Sequence, residues 1–313
     1  MARVPWYSAE HLELWIPITL VAAFSQNIRG ALQKHLTGKL STGGATQARF
    51  FYALPFALLY VIALCFVFGF KLPKPNAEFV VYAASGALAQ VFGAATLVAL
   101  YSHRNFFVGT AFSKTESIQA AMLGLVLLGD KVSAGALIGI CLGLTGMVII
   151  SGARHEAGIR RIMSSLITRP ALLGICAGLG FGVSAVCFRG ASLSLEGGYA
   201  IQAAFTLLMV LTLQTAVVAL YLRIKEPGQM SAVITNWRIA ALVGLAGMIA
   251  SVGWFTAMTL QNAGYVRALG QIELVFSFIA SVLIFKEKTT RMEFVGIAVI
   301  VIGILILLLF RNA

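Results

Sequence analysis

The sequence is poor in charged residues, and this scarcity excludes most soluble folds. Only 11% of the 313 residues are Asp, Glu, Lys or Arg, whereas 59% are hydrophobic. About a quarter of the residues of an ordinary globular domain are charged, so a soluble chain of this length could not bury so much apolar surface. The composition predicts instead that a lipid bilayer surrounds most of the chain.

Residues that perform covalent catalysis or bind metals are scarce as well. The single aspartate, Asp130, cannot form a catalytic aspartate pair, and the four histidines form no His-x-x-x-His motif. No Walker-type phosphate-binding loop is present, so we expect no use of ATP. We therefore predict that the protein is not an enzyme and has no cofactor and no metal site. A membrane-embedded enzyme or a scaffold without transport stays open as the less favoured alternative.

Cysteine is limited to four residues within apolar stretches: Cys65, Cys141, Cys176 and Cys187. Free cysteine behaves as a small hydrophobic residue. We therefore expect buried apolar side chains here, and neither disulfides nor metal ligands.

Long apolar stretches are what the sequence has in abundance. About 20 such residues suffice for a helix to cross a bilayer. Ten segments qualify: 15–34, 46–68, 77–101, 105–128, 132–152, 170–190, 197–222, 237–261, 265–285 and 291–310. The predicted fold class is an all-α membrane protein with ten transmembrane helices. The predicted location is the cytoplasmic (plasma or inner) membrane, as an integral multi-pass protein.

The net charge of +12 does not indicate a nucleic-acid partner. The basic residues lie in short loops at the ends of apolar segments, where phospholipid headgroups would meet them. The partner that these positions indicate is the lipid bilayer. The chain would be either a monomer or a homodimer.

A pattern near the middle of the chain returns 157 positions later without a gap. The matched pairs are Glu116 with Glu273, Asp130 with Glu287, Lys131 with Lys288, Gly139 with Gly296, and Gly146 with Gly303. Earlier helices align at shifts of 155 and 160, and the shift changes only at loops, as in an internal repeat. We predict a first five-helix repeat over 1–152, a basic linker over 153–169 and a second repeat over 170–313.

The odd number of helices per repeat has a topological consequence. The second copy must enter the membrane in the opposite direction, so the two repeats are inverted. Inverted repeats place a substrate site near the midplane and let one half move against the other. This architecture predicts a secondary transporter. We therefore expect a small-molecule substrate as a further partner, with protons as a candidate coupling ion.

Glycines recur at four-residue spacing in two helices: Gly135, Gly139 and Gly143 in the fifth, and Gly174, Gly178 and Gly182 in the sixth. Such rows let helix backbones approach closely. We expect helix packing there, with a role in gating as the alternative.

The acidic turns and the glycines that follow them resemble the EamA-type branch of the drug/metabolite transporter (DMT) superfamily. The residues are Leu128-Gly129-Asp130-Lys131 with Gly139 and Gly146, and Phe285-Lys286-Glu287-Lys288 with Gly296 and Gly303. Asp130 departs from the usual glutamate. The resemblance implies a cavity lined by helices 1, 3, 4, 6, 8 and 9. It also implies transport, often export, of amino acids or other small metabolites; efflux of cationic drugs is the alternative.

Two glutamates, Glu116 and Glu273, lie within spanning segments at matched places. An ionisable group inside a membrane is costly, so it usually faces a cavity and has a function. Each shares a helix face with small residues, which leaves room for a ligand: Ala120 and Gly124, and Ser277 and Ser281. We predict that at least one glutamate binds a proton or a cationic group alternately. The alternative is a structural ion pair with Lys114, Arg29 or Arg267.

Lys114 and Gln271 occupy matching positions, so the two halves differ there. On a regular helix Lys114 and Glu116 would point to nearly opposite sides. We expect Lys114 to bind a substrate carboxylate, to reach another helix, or to snorkel towards the interface.

Further polar and aromatic residues complete the predicted substrate and coupling site. Arg29 lies beside Gln26 and Asn27 and would contact an anion or pair with a glutamate. Lys34 and Arg189 lie at helix ends, where we expect snorkelling. Aromatic residues on the presumed cavity helices would stack on a ligand or, more often, pack or face lipid: Tyr101, Trp254 and Phe255.

The orientation of the termini has two conflicting indications. With ten helices, seven lysines and arginines lie on the side of the termini and fourteen on the other side. Because basic residues concentrate on the cytoplasmic side, this tally places the linker in the cytoplasm and both termini outside. The proteins that this chain resembles more often have cytoplasmic termini. We prefer the tally.

Overall fold

The computed structural model describes residues 11–36, 38–101, 112–153, 168–283, 286 and 290–310. Within these ranges the regular structure is entirely helical. The helices are α1 His11–Leu36, α2 Thr42–Phe66, α3 Ala77–Tyr101, α4 Glu116–Leu128, α5 Ala134–Ala153, α6 Arg169–Leu193, α7 Tyr199–Lys225, α8 Gln229–Thr235, α9 Trp237–Leu260, α10 Ala263–Leu269, α11 Ile272–Leu283 and α12 Arg291–Leu309.

Seven helices of the described part are long and apolar enough to cross a membrane: α2, α3, α5, α6, α7, α9 and α12. Helix α1 is long enough, but Gln26, Asn27 and Arg29 lower its hydrophobicity. Helices α4 and α11 are short over the residues described. The all-helical fold class is therefore confirmed for the described residues, and the number of ten transmembrane helices stays a prediction.

The chain forms two compact units, and each takes segments from both predicted repeats. The first unit comprises Met1–Leu88 and Cys187–Gln261, and the second comprises Ala89–Val186 and Asn262–Ala313. The first contains α1, α2 and α7 to α9, and the second contains α4, α5 and α10 to α12. Helices α3 and α6 each contribute to both units. The predicted division into 1–152, 153–169 and 170–313 therefore remains a statement about sequence repeats.

In the first unit, α9 packs along α1 and α2 through glycines. A Cβ at Gly253 would lie 2.7 Å from the Ala22 Cβ, and one at Gly244 would lie 2.5 Å from the Tyr52 Cβ. The absence of side chains at these positions lets the helices approach closely. The short helix α8, which was not predicted, packs against α2 and α7.

The start of α2 is held by side chains of the first unit. The Ser41 hydroxyl caps the helix by accepting a hydrogen bond from the Gly44 N–H (3.0 Å). The same hydroxyl donates to the Glu226 carboxylate, and the Ser41 N–H donates to Gln229 Oε1 (3.1 Å). The α7–α8 connection is thereby tied to the N-terminus of α2.

In the second unit, α5 and α12 pack through matched glycines. A Cβ at Gly139 would lie 2.6 Å from the Gly303 carbonyl oxygen, and one at Gly146 would lie 2.6 Å from that of Gly296. As the residue number rises by seven on α5, its partner's number falls by seven on α12, so the helices run antiparallel. The close packing predicted from the glycine spacing is confirmed here.

The predicted turn after the fourth helix is also confirmed. Helix α4 ends at Leu128, and Gly129 follows with a φ of +67°, a left-handed conformation that glycine adopts without steric cost. The corresponding turn of the second repeat lies outside the described residues, apart from Lys286.

Two predicted continuous helices, 105–128 and 265–285, are interrupted in the structure. The break in the first falls at Lys114 and Thr115, and the break in the second falls at Gly270 and Gln271. The predicted continuous helix 105–128, with Glu116 in its interior, is therefore wrong at this point, because Glu116 is the first residue of α4.

The cysteine prediction is correct only in part. Cys187 is buried and Cys65 is half-buried, but Cys141 and Cys176 are exposed on the outer faces of α5 and α6. All four thiols are free. An apolar helix can present cysteine to lipid as readily as to a protein interior, so an apolar sequence context does not establish burial.

Candidate functional site

The first helix break has a local cause in its hydrogen bonds. The Thr115 N–H and hydroxyl both bond to the Phe112 carbonyl oxygen, at 3.1 and 2.6 Å. A bond to the third preceding residue tightens the backbone relative to an α-helix. The Gln119 side chain then donates to the Thr115 hydroxyl (3.1 Å), and α4 begins at Glu116.

The second break repeats this geometry. The N–H groups of Gln271, Glu273 and Leu274 each bond to the carbonyl three residues earlier, at 3.0 to 3.1 Å. As a result, Glu273 lies in the first turn of α11, just as Glu116 lies in the first turn of α4. The positive end of a helix dipole favours a carboxylate in such a place.

The two breaks contact each other through polar side chains within the second unit. Lys114 Nζ lies 2.6 Å from Glu273 Oε1, with the two side chains 25% and 16% exposed. Gln271 Nε2 donates to the Ser117 hydroxyl at 3.3 Å. These contacts join the segment before α4 to the segment before α11.

Two further charged groups belong to this cluster. Lys114 is attracted by Glu116 as well as by Glu273, and it is repelled by Arg267 of α10. Both Glu116 and Arg267 are half-buried. The polar cluster of the second unit therefore consists of Lys114, Glu116, Arg267, Gln271 and Glu273.

Glycines make room for the cluster. A Cβ at Gly143 of α5 would lie 2.5 Å from Gln271 Oε1, so a larger residue there would displace this buried amide from its present position. A Cβ at Gly178 of α6 would lie 2.8 Å from the Ser113 carbonyl oxygen, and one at Gly182 would lie 3.3 Å from that of Glu116. The glycine rows thus pack against the two breaks, in addition to packing helix against helix.

Several predicted site residues meet in this cluster, although not as the sequence suggested. The structural ion pair that was the alternative for Glu273 is present, and its partner is Lys114. Lys114 and Glu116 were expected on opposite sides of one regular helix. That expectation is wrong, because the break at Lys114 frees its side chain from helical geometry and lets it interact with both glutamates.

A second group of predicted residues lies in the first unit. The indole Nε1 of Trp254 donates to Gln26 Oε1 at 2.9 Å, and Trp254 is buried. The methylene groups of Arg29 pack against Gly247 of α9, where a Cβ would lie 3.3 Å from Arg29 Cδ. Arg49, which was not predicted, reaches the same glycine through its Cγ.

Other predicted residues of this unit are placed as follows. Asn27 is half-buried on α1, beside Gln26. Phe255 stacks on Phe188, with ring centroids 4.6 Å apart, as expected for a packed aromatic residue. The side chains of Tyr101 and Lys34 lie outside the described residues.

The first unit also contains an apolar pocket of about 510 Å³ between α1, α2 and α9. Pro17, Phe56, Tyr60 and Met248 contribute to its lining. None of the predicted polar site residues lines this pocket.

Arg189 is a buried residue with a role different from the one predicted. Its Nη1 donates to the carbonyl oxygens of Met258, Thr259 and Gln261, at 2.8, 3.2 and 2.8 Å. These carbonyls end α9 and have no partner within the helix. The expected snorkelling of Arg189 is therefore wrong: it caps the C-terminus of α9 in the protein interior.

Comparisons with known proteins agree with an all-helical membrane fold. The model of the EamA-like transporter family matches residues 13–152 and 168–309. A solved structure titled "Crystal structure of protein" has a TM-score of 0.69 and 18% identity, over 98% of this chain and 100% of that chain. An identity this low shows a similar fold alone. No curated protein sequence matches the chain.

The family match covers most of the chain in two segments, one on each side of the basic linker. Its members are transporters and not enzymes. Together with the apolar helices, this match shows that the chain belongs to the EamA-like transporter family of the drug/metabolite transporter superfamily, a family of integral multi-pass membrane proteins.

Proposed function

We propose that the protein is a secondary transporter that exports a small polar or amphipathic metabolite, such as an amino acid, across the cytoplasmic membrane. Transport would proceed by alternating access around a cavity near the membrane midplane. The observation that carries the proposal is the Lys114–Glu273 ion pair, which lies at two helix breaks within segments predicted to span the membrane. Broken helices with ionisable groups are typical of transporter binding sites.

The proposal includes ten helices in two inverted five-helix repeats, and two sets of contacts support it. The first is the antiparallel packing of α5 on α12, in which Gly139 contacts Gly303 and Gly146 contacts Gly296. The repeat matches the same four glycines crosswise, Gly139 with Gly296 and Gly146 with Gly303. The second is a contact that occurs once in each unit. Gly93 lies against Ala177 in the second unit, and Gly253 lies against Ala22 in the first. In the repeat, Gly253 is equivalent to Gly93, and Ala177 is equivalent to Ala22.

We assign substrate and coupling roles to two groups of residues. The first is the polar cluster of the second unit, where Lys114 can bind a carboxylate and the glutamates can bind an ammonium group or a proton. The second is the polar group of α1 and α9, in which a hydrogen bond joins Gln26 to Trp254. We assign the same roles to three further residues that were predicted from the sequence: Arg29, Asn27 and Tyr101.

The presence of both charge signs in the polar cluster favours a zwitterionic substrate over a purely cationic drug. A site selective for cations would gain nothing from Lys114, because a like charge repels the ligand. An amino acid offers one ammonium group and one carboxylate, whose charges are opposite to those of Glu116 and Lys114 respectively.

The proposal can be tested with purified protein in liposomes. Vesicles preloaded with single amino acids, polyamines or quaternary amines would be assayed for exchange with external labelled compound. We expect saturable exchange for at least one amino acid, and net flux driven by an imposed pH gradient or voltage. Exchange of quaternary amines alone would favour the drug-efflux alternative, and flux that cannot proceed against a gradient would contradict a coupled transporter.

The direction of transport needs a separate measurement. Intact cells loaded with the identified compound should release it faster when they contain the protein. A matched strain with Glu116→Gln provides the control. Net uptake under the same gradient would contradict export and leave the transporter assignment in place.

A further inference from the structure

One face of α1 carries polar side chains along its second half. Gln26, Arg29 and Gln33 follow one another at steps of three and four residues, so they lie on the same side of the helix. Each contacts a neighbouring helix of the first unit. Gln26 accepts a hydrogen bond from the Trp254 indole of α9 (2.9 Å), and Gln33 donates one to a backbone carbonyl of α2 (3.4 Å). Arg29, between them, lies against Gly247 of α9.

A second arginine reaches the same glycine from another helix. A Cβ at Gly247 would lie 3.3 Å from Arg29 Cδ and 3.5 Å from Arg49 Cγ. Arg29 belongs to α1 and Arg49 belongs to α2, so their stems converge on one point of α9. Both side chains are half-buried, and the Arg49 guanidinium lies 5.0 Å from the centroid of the Phe50 ring.

The exposed residues of α9 lie on the other side of this helix. Leu242, Leu245 and Ile249 are exposed, and each is rotated by about 140–160° from Gly247 around the helix axis. Trp254 is seven residues beyond Gly247, on the same face, and it is buried. The two arginines therefore meet on the face of α9 that is turned away from lipid. An anion bound there would be a solute and not a headgroup of the surrounding bilayer.

Both arginines lie well inside their helices. Arg29 precedes the end of α1 by seven residues, and Arg49 follows the start of α2 by seven. At about 1.5 Å per residue, each is about 10 Å from the end of its helix. Charged residues at such a depth in a membrane protein are costly, usually face a cavity and mark a substrate pathway. Two like charges that converge also repel each other, and a bound anion would relieve this repulsion.

The helices that meet at Gly247 are positively charged at this level. Helices α2 and α9 contain no Asp or Glu, and the one acidic residue of α1, Glu13, lies about 24 Å from Arg29 along the helix. Glu226, in the α7–α8 connection, accepts a hydrogen bond from Ser41 before the start of α2. Both arginines have further interactions within the protein, and an anion would add to these.

The second repeat shows that helix packing does not require the two arginines. At the shift of 155 that relates α1 and α2 to α6 and α7, Ser184 corresponds to Arg29 and Ala204 corresponds to Arg49. Both of these residues are buried, so the equivalent helices form without a charge at either place. The arginine pair belongs to the first repeat alone, as expected of a ligand site that occurs once.

We propose that Arg29 and Arg49 together bind a carboxylate or phosphate group of the transported solute, at the point of α9 where their stems converge. A guanidinium presents parallel N–H donors that match two oxygens of such a group. The inference rests on the proposed transporter function and narrows its substrates to compounds that carry an oxyanion. Arg49 is then a specificity-determining residue, because it supplies the second charge of the site.

Binding to the purified full-length protein tests the site without a transport assay. The probes are inorganic phosphate, succinate and L-glutamate, with uncharged succinamide as the matched neutral compound and with ionic strength held constant. Melting temperatures would be measured in nanodiscs of phosphatidylcholine alone. We expect at least one of the anions to raise the melting temperature, because a ligand of the folded state stabilises it, and succinamide to have no effect. If none of the anions does so, or if succinamide acts equally, the proposal is wrong.

Two variants introduce the residues of the second repeat. Arg49→Ala and Arg29→Ser should each raise the Kd of the active anion about tenfold or more, because charge-assisted hydrogen bonds are lost. Arg238→Ala is the matched control: Arg238 is exposed near the start of α9, and its guanidinium lies over the Trp237 ring as that of Arg49 lies over Phe50. Equal Kd values for Arg49→Ala and Arg238→Ala would contradict the assignment.

A further variant protects this test against a folding defect. The melting temperature without an anion shows whether each variant folds. Arg49→Gln keeps a polar side chain but no charge, and it replaces Arg49→Ala if the alanine variant is unstable. A folded Arg49→Gln protein that binds the anion with the Kd of the unmodified protein would equally overturn the proposal.

Nanodiscs made of equal parts of phosphatidylcholine and phosphatidylglycerol distinguish the two sources of an oxyanion. If these discs raise the melting temperature only when Arg49 is present, and soluble anions have no effect, the ligand is a lipid headgroup and the assignment to the solute fails. Anion binding without exchange in liposomes would contradict the transporter function and keep the site. Exchange of anionic compounds with an unchanged KM in Arg49→Ala would keep the transporter and overturn the site.

Discussion

Gly139 of α5 lies against the backbone of Gly303 on α12, and the relation is reciprocal. A Cβ at Gly139 would stand 2.6 Å from the Gly303 carbonyl oxygen, and one at Gly303 would stand 2.8 Å from the Gly139 carbonyl oxygen. Neither backbone can shift without disturbing its own helix. The contact therefore sets the distance between the two longest apolar helices that lie wholly in the second unit.

The first prediction concerns this contact. Gly139→Leu should destabilise the protein by about 1–3 kcal/mol, because the larger side chain forces the helices apart. The melting temperature in detergent measures the effect. Gly30→Leu on α1 is the matched control, since a Cβ there meets nothing within 4 Å and should change little. Equal stability of the two variants would show that the close approach of α5 and α12 is not required.

The second prediction concerns the energy of the Lys114–Glu273 pair. Lys114→Met and Glu273→Gln should each destabilise the protein by about 2 kcal/mol, less than for a fully buried pair because both side chains are partly exposed. The double variant should lose less than the sum of the two, since it leaves no unpaired charge. Additive losses would contradict a direct interaction. Lys131→Ala, in the exposed turn after α4, is the control.

The third prediction concerns substrate charge. Lys114→Ala should reduce exchange of anionic and zwitterionic compounds about tenfold more than exchange of cationic ones, because an ammonium group can pair with a substrate carboxylate. Initial rates in liposomes at equal protein incorporation give the comparison. Equal losses for all classes would indicate that Lys114 acts through the structure of the break and not through the substrate.

The fourth prediction concerns Arg189. Arg189→Met should destabilise the protein by about 2–3 kcal/mol, because three carbonyl oxygens at the end of α9 lose a charged donor. Arg189→Lys should recover part of this loss, as an ammonium group can bond to fewer of the carbonyls in that geometry. Arg223→Met, on an exposed position of α7, is the control. A melting temperature of Arg189→Met equal to that of the control would rule out the capping role.

The fifth prediction concerns orientation. A cysteine placed at Gly158, in a background without the four native cysteines, should resist a membrane-impermeant thiol reagent in intact cells. The reason is that the basic linker 153–169 is predicted to be cytoplasmic. A cysteine at Asn312 should react. The opposite pattern would reverse the assignment. Removing the native cysteines is necessary because Cys141 and Cys176 are exposed.

Part of this structure could be predicted because it depends on residue type and spacing alone. An apolar run of sufficient length becomes a helix in a membrane whatever surrounds it. Glycines at regular spacing bring helices together, and those at Gly139 and Gly178 contact neighbouring backbone as expected. Glu116 and Glu273 were singled out by the cost of a charge in an apolar segment, and each lies in the first turn of a helix that follows a break.

The helix breaks could not be predicted, because no residue in either segment excludes a continuous helix and the local hydrogen bonds at the breaks are visible only in the folded chain. Both segments are apolar and free of proline, and a single glycine such as Gly270 is compatible with a helix. The tightened backbone is stabilised by neighbours that are distant in sequence, including Gly143 and Gly178. The capping role of Arg189 was missed for the same reason: only the folded chain brings it to the end of α9.

The interleaving of the two units constrains how the protein can be made. Because the first unit needs both Met1–Leu88 and Cys187–Gln261, α1 must remain in the membrane without its partner α9 until the ribosome has translated that later segment. During this time its polar residues, such as Gln26 and Arg29, face lipid or the insertion machinery. A chain that ends before α9 lacks a segment that the first unit needs, so we expect premature stop codons upstream of Gln261 to yield unstable products.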